Sequence, residues 1–510
     1  MKKNIILYIV ALITLYGCDD VLNKTDMNGQ NSGTFMKYAS QVGDAVTAVY
    51  DPLSYGGLYS WSFIVLGEAP TDNIYNPWGD GGFGPDLVSI HYFRWKNTNQ
   101  YFGSRWNACY KGIVRANYVL DNIDNAGDLS PDMKDRYIGE VLFLRSLFYF
   151  NLVSGFGDVP FPTTVLAPEK ANTIKKTASN EIWSQLDKDL LNAALKLPVS
   201  YGKSEVGRVT KGAAYGLLSR IRLWTKDYKG AAEAATEVEK LGYSLVDSND
   251  FVHMFDGMKQ NSNESIFEVQ FVGGKGKYWS AESAETTILQ HIWPRISWGQ
   301  YLRPRKVNDE NGNKVYDILD IFEKDDIRRQ GSILIAGVDK INYPEFNKTS
   351  VFPDFDLYKD FRADLKEKGA LQMRKFLYHD PAYWRAGGKY FSVGSAINVP
   401  VIRYAEVILN RAEALAMIPG KTAEAWTELK KIRDRAGLTM DGISDSDADA
   451  LLVQIKKDRR VELLFEGHRW GDLKRWGELN DLVDAGLNYN SSYEYWPIPS
   501  NEVNINPNLK

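Results

Sequence analysis

Charged side chains able to do acid–base work are densest in one stretch, "DRRVELLFEGHRWGDLKRW", Asp458 to Trp476. Glu462, Glu466 and Asp472 lie there among Arg459, Arg460, His468, Arg469 and Arg475, and two chemistries compete for them. One is glycosidic hydrolysis, which needs two carboxylates at a fixed separation across a sugar bond. The other is ion pairing: Arg459 with Glu462 and Glu466 with Arg469 stand three apart, within reach on a helix. Paired charges can be buried, and Val461, Leu464 and Phe465 form an apolar face beside them. The pattern therefore favours carboxylates paired with arginines at a helix end, against Trp470 and Trp476. The whole chain has 65 acidic residues, so chance carboxylate pairs are too plentiful to mark a site.

Other motifs fail on context. "GDGGFG", Gly79 to Gly84, satisfies the glycine spacing of a dinucleotide turn, but Asn76-Pro77-Trp78 stands where a strand is needed and Pro85 follows. Gly202-Lys203-Ser204 and Gly420-Lys421-Thr422 lack the earlier glycine of a phosphate loop; Leu197 and Leu415 hold those positions. The five histidines are isolated, with no zinc spacing. No GxSxG elbow is present.

The amino terminus carries a different chemistry. Lys2 and Lys3 precede an apolar run from Ile5 to Tyr16. Twelve residues make a helix of roughly 18 Å, short of a hydrocarbon core of about 30 Å. That length suits an export signal. Leu15-Tyr16-Gly17-Cys18 resembles the lipobox of bacterial lipoproteins, in which cleavage before the cysteine leaves it to carry fatty acyl chains. The resemblance implies residues 1–17 as signal peptide and Cys18 as the lipid attachment point. An ordinary secretory signal with a chance cysteine is the alternative. Residues 18–34 are polar and turn-forming, a tether. Net charge is −4 with no basic cluster, which argues against nucleic acid as a partner. If Cys18 is acylated, Cys109 has no partner for a disulfide.

Helical periodicity dominates what remains. Arg403 to Met417 places Ala405, Ile408, Leu409, Ala412, Leu415 and Ala416 on one face; Pro419-Gly420 ends that helix, and Thr422 is placed to cap the next, to about Leu438. Gly216 to Gly242 reads the same way: helix, turn, alanine-rich helix. The two pairs align, Leu217-Leu218-Ser219-Arg220 with Ile408-Leu409-Asn410-Arg411, as degenerate tetratricopeptide-type repeats do. Further helices are expected at Gly139–Val153 and Asn107–Ile123, and a strand at Ser265–Val272. The fold class expected is all-α, with few short strands. Residues 35–510 are expected to form one body with irregular, aromatic-rich inserts at 71–103 and 273–315.

Seven segments in order resemble the SusD/RagB family of outer-membrane nutrient-binding lipoproteins. They are "IVRANYVLDNI" (from Ile113), "GEVLFLRSLFYFNLVSGFGDVPF" (from Gly139), "RVTKGAAYGLLSRIRLW" (from Arg208), "NESIFEVQF" (from Asn263), "IRYAEVILNRAEA" (from Ile402), "RRVELLFEGHRWGDLKRW" (from Arg459) and "YWPIPSNEVNINPNL" (from Tyr495). The resemblance implies a SusD-like helical body and no enzymatic activity. It also implies a SusC-like TonB-dependent β-barrel as partner, an oligosaccharide or polysaccharide as cargo, and attachment to outer-membrane lipid through Cys18. A peptide-binding lid, as in RagB-like members, is the alternative, and a surface glycosidase a more distant one. Asp19 and Asp20 resemble the acidic signal for display on the extracellular side. No cofactor is implied; some relatives hold calcium, but no calcium-loop pattern is present here.

Family motifs here are scaffold, so ligand contacts must be sought in the inserts by chemistry. A pyranose stacks its C–H face on a flat ring and needs polar side chains at its edge. Asp72, Asn73 and Trp78 in the first insert, and Tyr278, Trp279 and Trp293 in the second, are the candidate glycan-binding residues. Trp95, Trp106 and Trp298 adjoin the expected helices and are assigned to the scaffold. Replacing the acylation site, Cys18→Ala, is expected to release the protein from the membrane pellet; continued sedimentation with membranes would exclude the lipid anchor.

Overall fold

The computed structural model describes residues 36–75, 84–272, 292, 302–308, 311, 314–343, 348–354, 366–377 and 395–510. Helices carry this structure. In chain order those that matter for the site are α1 (Ala39–Tyr50), α2 (Ser62–Glu68), α3 (Gln100–Asn122), α4 (Pro131–Phe156), α5 (Ser179–Lys196), α6 (Lys211–Trp224), α7 (Tyr228–Glu239), α8 (Tyr404–Ala416), α9 (Thr422–Arg435), α10 (Ala448–Glu462) and α11 (Arg469–Trp476). The strands among the described residues pair only two by two, all antiparallel. Three short strands bear on the site: β1 (Ile74–Tyr75), β2 (Ser265–Val269) and β3 (Arg303–Pro304); a fourth, β4 (Val399–Arg403), pairs with β2.

Local signals explain the helix ends. The Asn99 side chain accepts from the Tyr101 amide at 3.0 Å to start α3. Ser130 does the same for Met133, with Pro131 as the first helical residue of α4. Gly157, at φ 75°, stops α4. Both helices begin earlier than apolar periodicity indicated, where Asn99 and Ser130 cap them. Thr422 is the first residue of α9 and caps nothing; Lys421 precedes it without a side-chain cap. The insert expected at 71–103 contains a short helix, Pro85–His91, whose Leu87, Val88 and Ile90 are buried. The expected strand at 265–272 ends at Val269.

The two helix pairs pack as repeats. Asp227 caps α7 through the Gly230 amide at 3.0 Å, and Gly420, at φ 78°, makes the turn between α8 and α9. Every residue of α8 except Arg411 is buried, so its face is not the single apolar stripe that spacing suggested. Glu406, Asn410 and Glu413 are also inside, each matched by a partner. The aligned positions Ser219 and Asn410 meet: the Asn410 amide donates to Ser219 Oγ at 3.0 Å. Internal sequence likeness thus becomes a contact between equivalent turns of α6 and α8.

Close backbone approach sets a second constraint. A Cβ on Gly67, in α2, would overlap the carbonyl of Gly467, and Gly467 itself adopts φ 82°. The loop between α10 and α11 is thereby pressed onto α2. Gly67→Ala is expected to lower stability by about 2 kcal/mol. Gly103→Ala, where nothing lies within 4 Å of the added methyl, is expected to be neutral or slightly stabilising; denaturant melts of both variants check this.

Candidate functional site

Glu462 and Glu466, read as possible helix-end partners of Arg459 and Arg469, pair instead across the fold. Arg403, at the end of β4, donates from Nη1 to Glu264 at 2.7 Å and to Glu462 at 2.6 Å. Its Nε and Nη2 grip both oxygens of Glu466 at 2.7 and 2.8 Å. Lys375 Nζ reaches Glu466 at 2.7 Å, Arg435 bonds Glu462 and Glu264, and Arg328 bridges Asp326 and Asp458 at 2.8 Å each. Arg459 turns to Asp472 at 2.9 Å and to Asn410 at 2.8 Å. Phe465 and Gly467, both at positive φ, break the helical path after Glu462, so Glu466 and Arg469 no longer share a helix face.

This arrangement is unsuited to acid–base catalysis. Neighbouring guanidinium groups hold the carboxyls of Glu462, Glu466 and Asp472 below their ordinary range despite burial. A glycosidic general acid requires the opposite shift. The sequence's densest charged stretch is a buried electrostatic joint.

From that joint a chain of hydrogen bonds runs to the root of the first insert. The Gly467 amide donates to Glu68 Oε1 at 2.9 Å, and Glu68 Oε2 accepts from Asn73 Nδ2 at 2.8 Å. Asn73 Oδ1 accepts from Arg460 Nε at 3.0 Å. Asp72 lies between two arginines: Arg460 Nη2 at 2.8 Å and Arg469 Nε at 3.0 Å. Burial opposes ionisation of Asp72, and the two guanidinium charges outweigh it, bringing its pKa down to about 2. Asp72 is 5% exposed and Asn73 1% exposed. Their polar atoms are engaged from below, so they brace the insert and do not offer an edge to a ligand, contrary to the expectation from their residue types. The other candidates, Trp78, Tyr278, Trp279 and Trp293, lie outside the described residues, as do Cys18 and Trp298. Trp95 and Trp106 are buried, the former against Tyr493 with ring centroids 4.8 Å apart.

The braced root forms one side of a junction. β1 pairs antiparallel with β3, with Ile74 opposite Pro304 and Tyr75 opposite Arg303. Segment 76–83 follows Tyr75 and segment 293–301 precedes Leu302, so a strand within the first insert pairs with one within the second. The Asn73 carbonyl accepts from the Arg305 amide at 3.0 Å and extends the pairing. Beneath it Arg460 Nη2 donates to the Tyr316 hydroxyl at 2.6 Å, and Arg305 lies 5.3 Å over the Tyr316 ring. The His91 ring meets Tyr75 edge-on at 6.4 Å. His91 Nδ1 lies 2.9 Å from the Ala69 carbonyl; burial lowers its pKa to about 4, so it is neutral and carries its proton on Nδ1. Spacing alone did not mark Tyr75, Arg303, Arg305, Tyr316 or Arg460. The one available signal was Arg460 within the charged stretch.

A family profile described as "SusD family" matches residues 253–510. The chain belongs to the SusD family. A second profile, "Starch-binding associating with outer membrane", matches residues 87–223. SusD-like protein P2 of Formosa agariphila is 26% identical, with 100% of this chain and 99% of that protein covered. Starch-binding protein SusD of Bacteroides thetaiotaomicron is 23% identical over 89% of this chain and 85% of its own length. Among solved structures, a laminarin-binding SusD-like protein superposes with a TM-score of 0.73 at 24% identity, covering 92% of this chain and 98% of that one. The SusD-like helical fold read from seven motifs is the fold found.

Glu68 gives this junction a pH signature. Burial raises its pKa to about 7, against the stabilising pull of Asn73 and the Gly467 amide on the ionised form. The folded state therefore holds a proton that the unfolded chain releases near pH 4.5. The contribution of this group is full below about pH 4.5 and is lost as pH rises through about 7, a span on the order of 3 kcal/mol. Denaturant midpoints are expected to fall between pH 4.5 and 7.5 in the wild type and to fall less steeply in Glu68→Gln, which carries no titrating group there; equal slopes would contradict this.

Proposed function

We propose that this SusD-family chain is a lipid-anchored, non-enzymatic surface protein that binds oligosaccharide and passes it to a SusC-like TonB-dependent barrel in the outer membrane. The observation that carries the reading is the register of β1 against β3, with Tyr75 opposite Arg303. It pairs a strand of one insert with a strand of the other, both inserts being rich in Trp, Tyr, Asn and Asp, over a charge-braced base. Rings presented from such a junction suit the C–H faces of successive sugar units, since stiff aromatic side chains give contact area with little entropy to lose. Two relatives are named for polysaccharides, starch and laminarin, which supports a glycan over a peptide. In this proposal Trp78, Tyr278, Trp279 and Trp293 make the contacts, Asp72 and Asn73 hold the base, and Cys18 anchors the body on the extracellular side.

Affinity electrophoresis against a polysaccharide panel that includes starch and laminarin tests the proposal. The wild type is expected to be retarded on at least one gel, and Trp78→Ala or Trp279→Ala to weaken that affinity by roughly tenfold. A wild type that migrates freely on every polysaccharide and binds a peptide library would replace this reading with peptide uptake.

A further inference from the structure

A small cavity of about 110 Å³ lies inside the helical body, where α2, α3, α4, α6, β4 and α11 converge. Its lining carries several charged side chains: Arg105, Arg220, Arg459, Glu466, Asp472 and Arg475. All but one of these have a buried partner of opposite charge. Arg220 holds Glu406 with Nε and Nη2 at 2.6 Å each. Arg459 holds Asp472 at 2.9 Å, and Arg475 Nη2 bonds Glu413 at 2.8 Å while also meeting Asp472. Glu466 is taken by Arg403 and Lys375.

Arg105 is the exception. It is 4% exposed, and its only side-chain hydrogen bond among the described residues goes from Nη1 to Asn151 Oδ1. The ionisable groups that act on it are Cys109 and Tyr59. Burial pushes the Cys109 thiol up to about 12 and raises the Tyr59 hydroxyl, so both are neutral and neither supplies a counter-charge. A guanidinium cannot shed its own proton to escape. An uncompensated buried cation costs several kcal/mol.

Two groups on the cavity wall have no hydrogen-bond partner among the described residues: Arg105 Nε and the indole Nε1 of Trp470, itself 3% exposed. Both are donors with no acceptor capacity. A water molecule accepting from them would leave the Arg105 charge unbalanced. An acceptor-only anion would not. His468 also lines the cavity; burial holds it neutral, with a pKa of about 4, so it adds no second charge to be balanced.

From this geometry we infer that the cavity binds one small monovalent anion of halide size, which neutralises Arg105 and accepts from Trp470. The volume admits such an ion together with ordered water, each water occupying about 30 Å³. A dianion would overcompensate the single unpaired cation. The ion would tie α3 to α11 beside the Gly67–Gly467 contact, and this site is independent of the glycan surface proposed above.

The test uses the detergent-solubilised full chain and bromide as the probe. Crystals grown in sodium bromide and measured at the bromine absorption edge are expected to show an anomalous peak within about 3.5 Å of Arg105 Nε and Trp470 Nε1. In solution, at constant ionic strength, melting in 0.1 M sodium chloride is expected to exceed melting in sodium gluconate by roughly 1–3 °C, because gluconate is too large to enter. Arg105→Met should abolish that difference. Trp470→Phe, which keeps the ring and deletes one donor, should reduce it and remains informative if the arginine variant does not fold. A cavity without a bromine peak, or a wild type whose melting is the same in both salts, overturns the inference.

Discussion

One buried guanidinium, Arg403, sits where the chain's distant parts have to agree. It is held by Glu264 from the segment leading into β2 and by Glu462 and Glu466 from the end of α10 and the loop beyond. Taking these charges out of water costs several kcal/mol per ion, and pairing repays that only when every partner is in place. Such a joint adds little net stability over a packed apolar core. Its effect is on geometry: misplacing any partner strands a charge in the interior. Around it Lys375, Arg435, Arg328 and Asp458 extend the same requirement to other elements.

The joint governs the candidate binding surface through a short path. After Glu466 the chain turns at Gly467, whose amide fixes Glu68, and Glu68 fixes Asn73. Asp72 is held next door by Arg460 and Arg469, which flank the joint in sequence. Two residues later β1 meets β3. The roots of both aromatic-rich inserts are thus referenced to the same charged centre. This gives a rigid base to segments whose own composition, rich in glycine and turn-forming residues, would not fix their direction.

Much of the scaffold was legible in the residues. The helix pairs announced themselves by periodicity and by the alignment of Ser219 with Asn410, and those two side chains touch. What misled was any inference that assumed a continuous helix or a single face. Glu466 and Arg469 are separated by the break at Gly467, whereas Arg459 and Glu462 share α10 and are still drawn to different partners, Asp472 and the buried Arg403 and Arg435. Likewise the apolar face read for α8 said nothing of Glu406 and Glu413, which are buried as well; Arg220 and Arg475 arrive from other helices to make their burial tolerable. Asp72 and Asn73 have side chains suited to sugar hydroxyls, but residue type does not reveal whether a polar group is already taken.

The sequence by itself marked the family through seven motifs in order, and it determined the helical class and the paired repeats because apolar spacing and turn residues act within a few residues of one another. It also marked where charge would concentrate. Only the tertiary structure decided which charge meets which, since most of those partners stand tens to hundreds of residues apart and are chosen by depth and direction. That choice turned a seemingly catalytic stretch into a joint and two supposed ligand contacts into braces. It also left one arginine, Arg105, facing a cavity without a counter-charge.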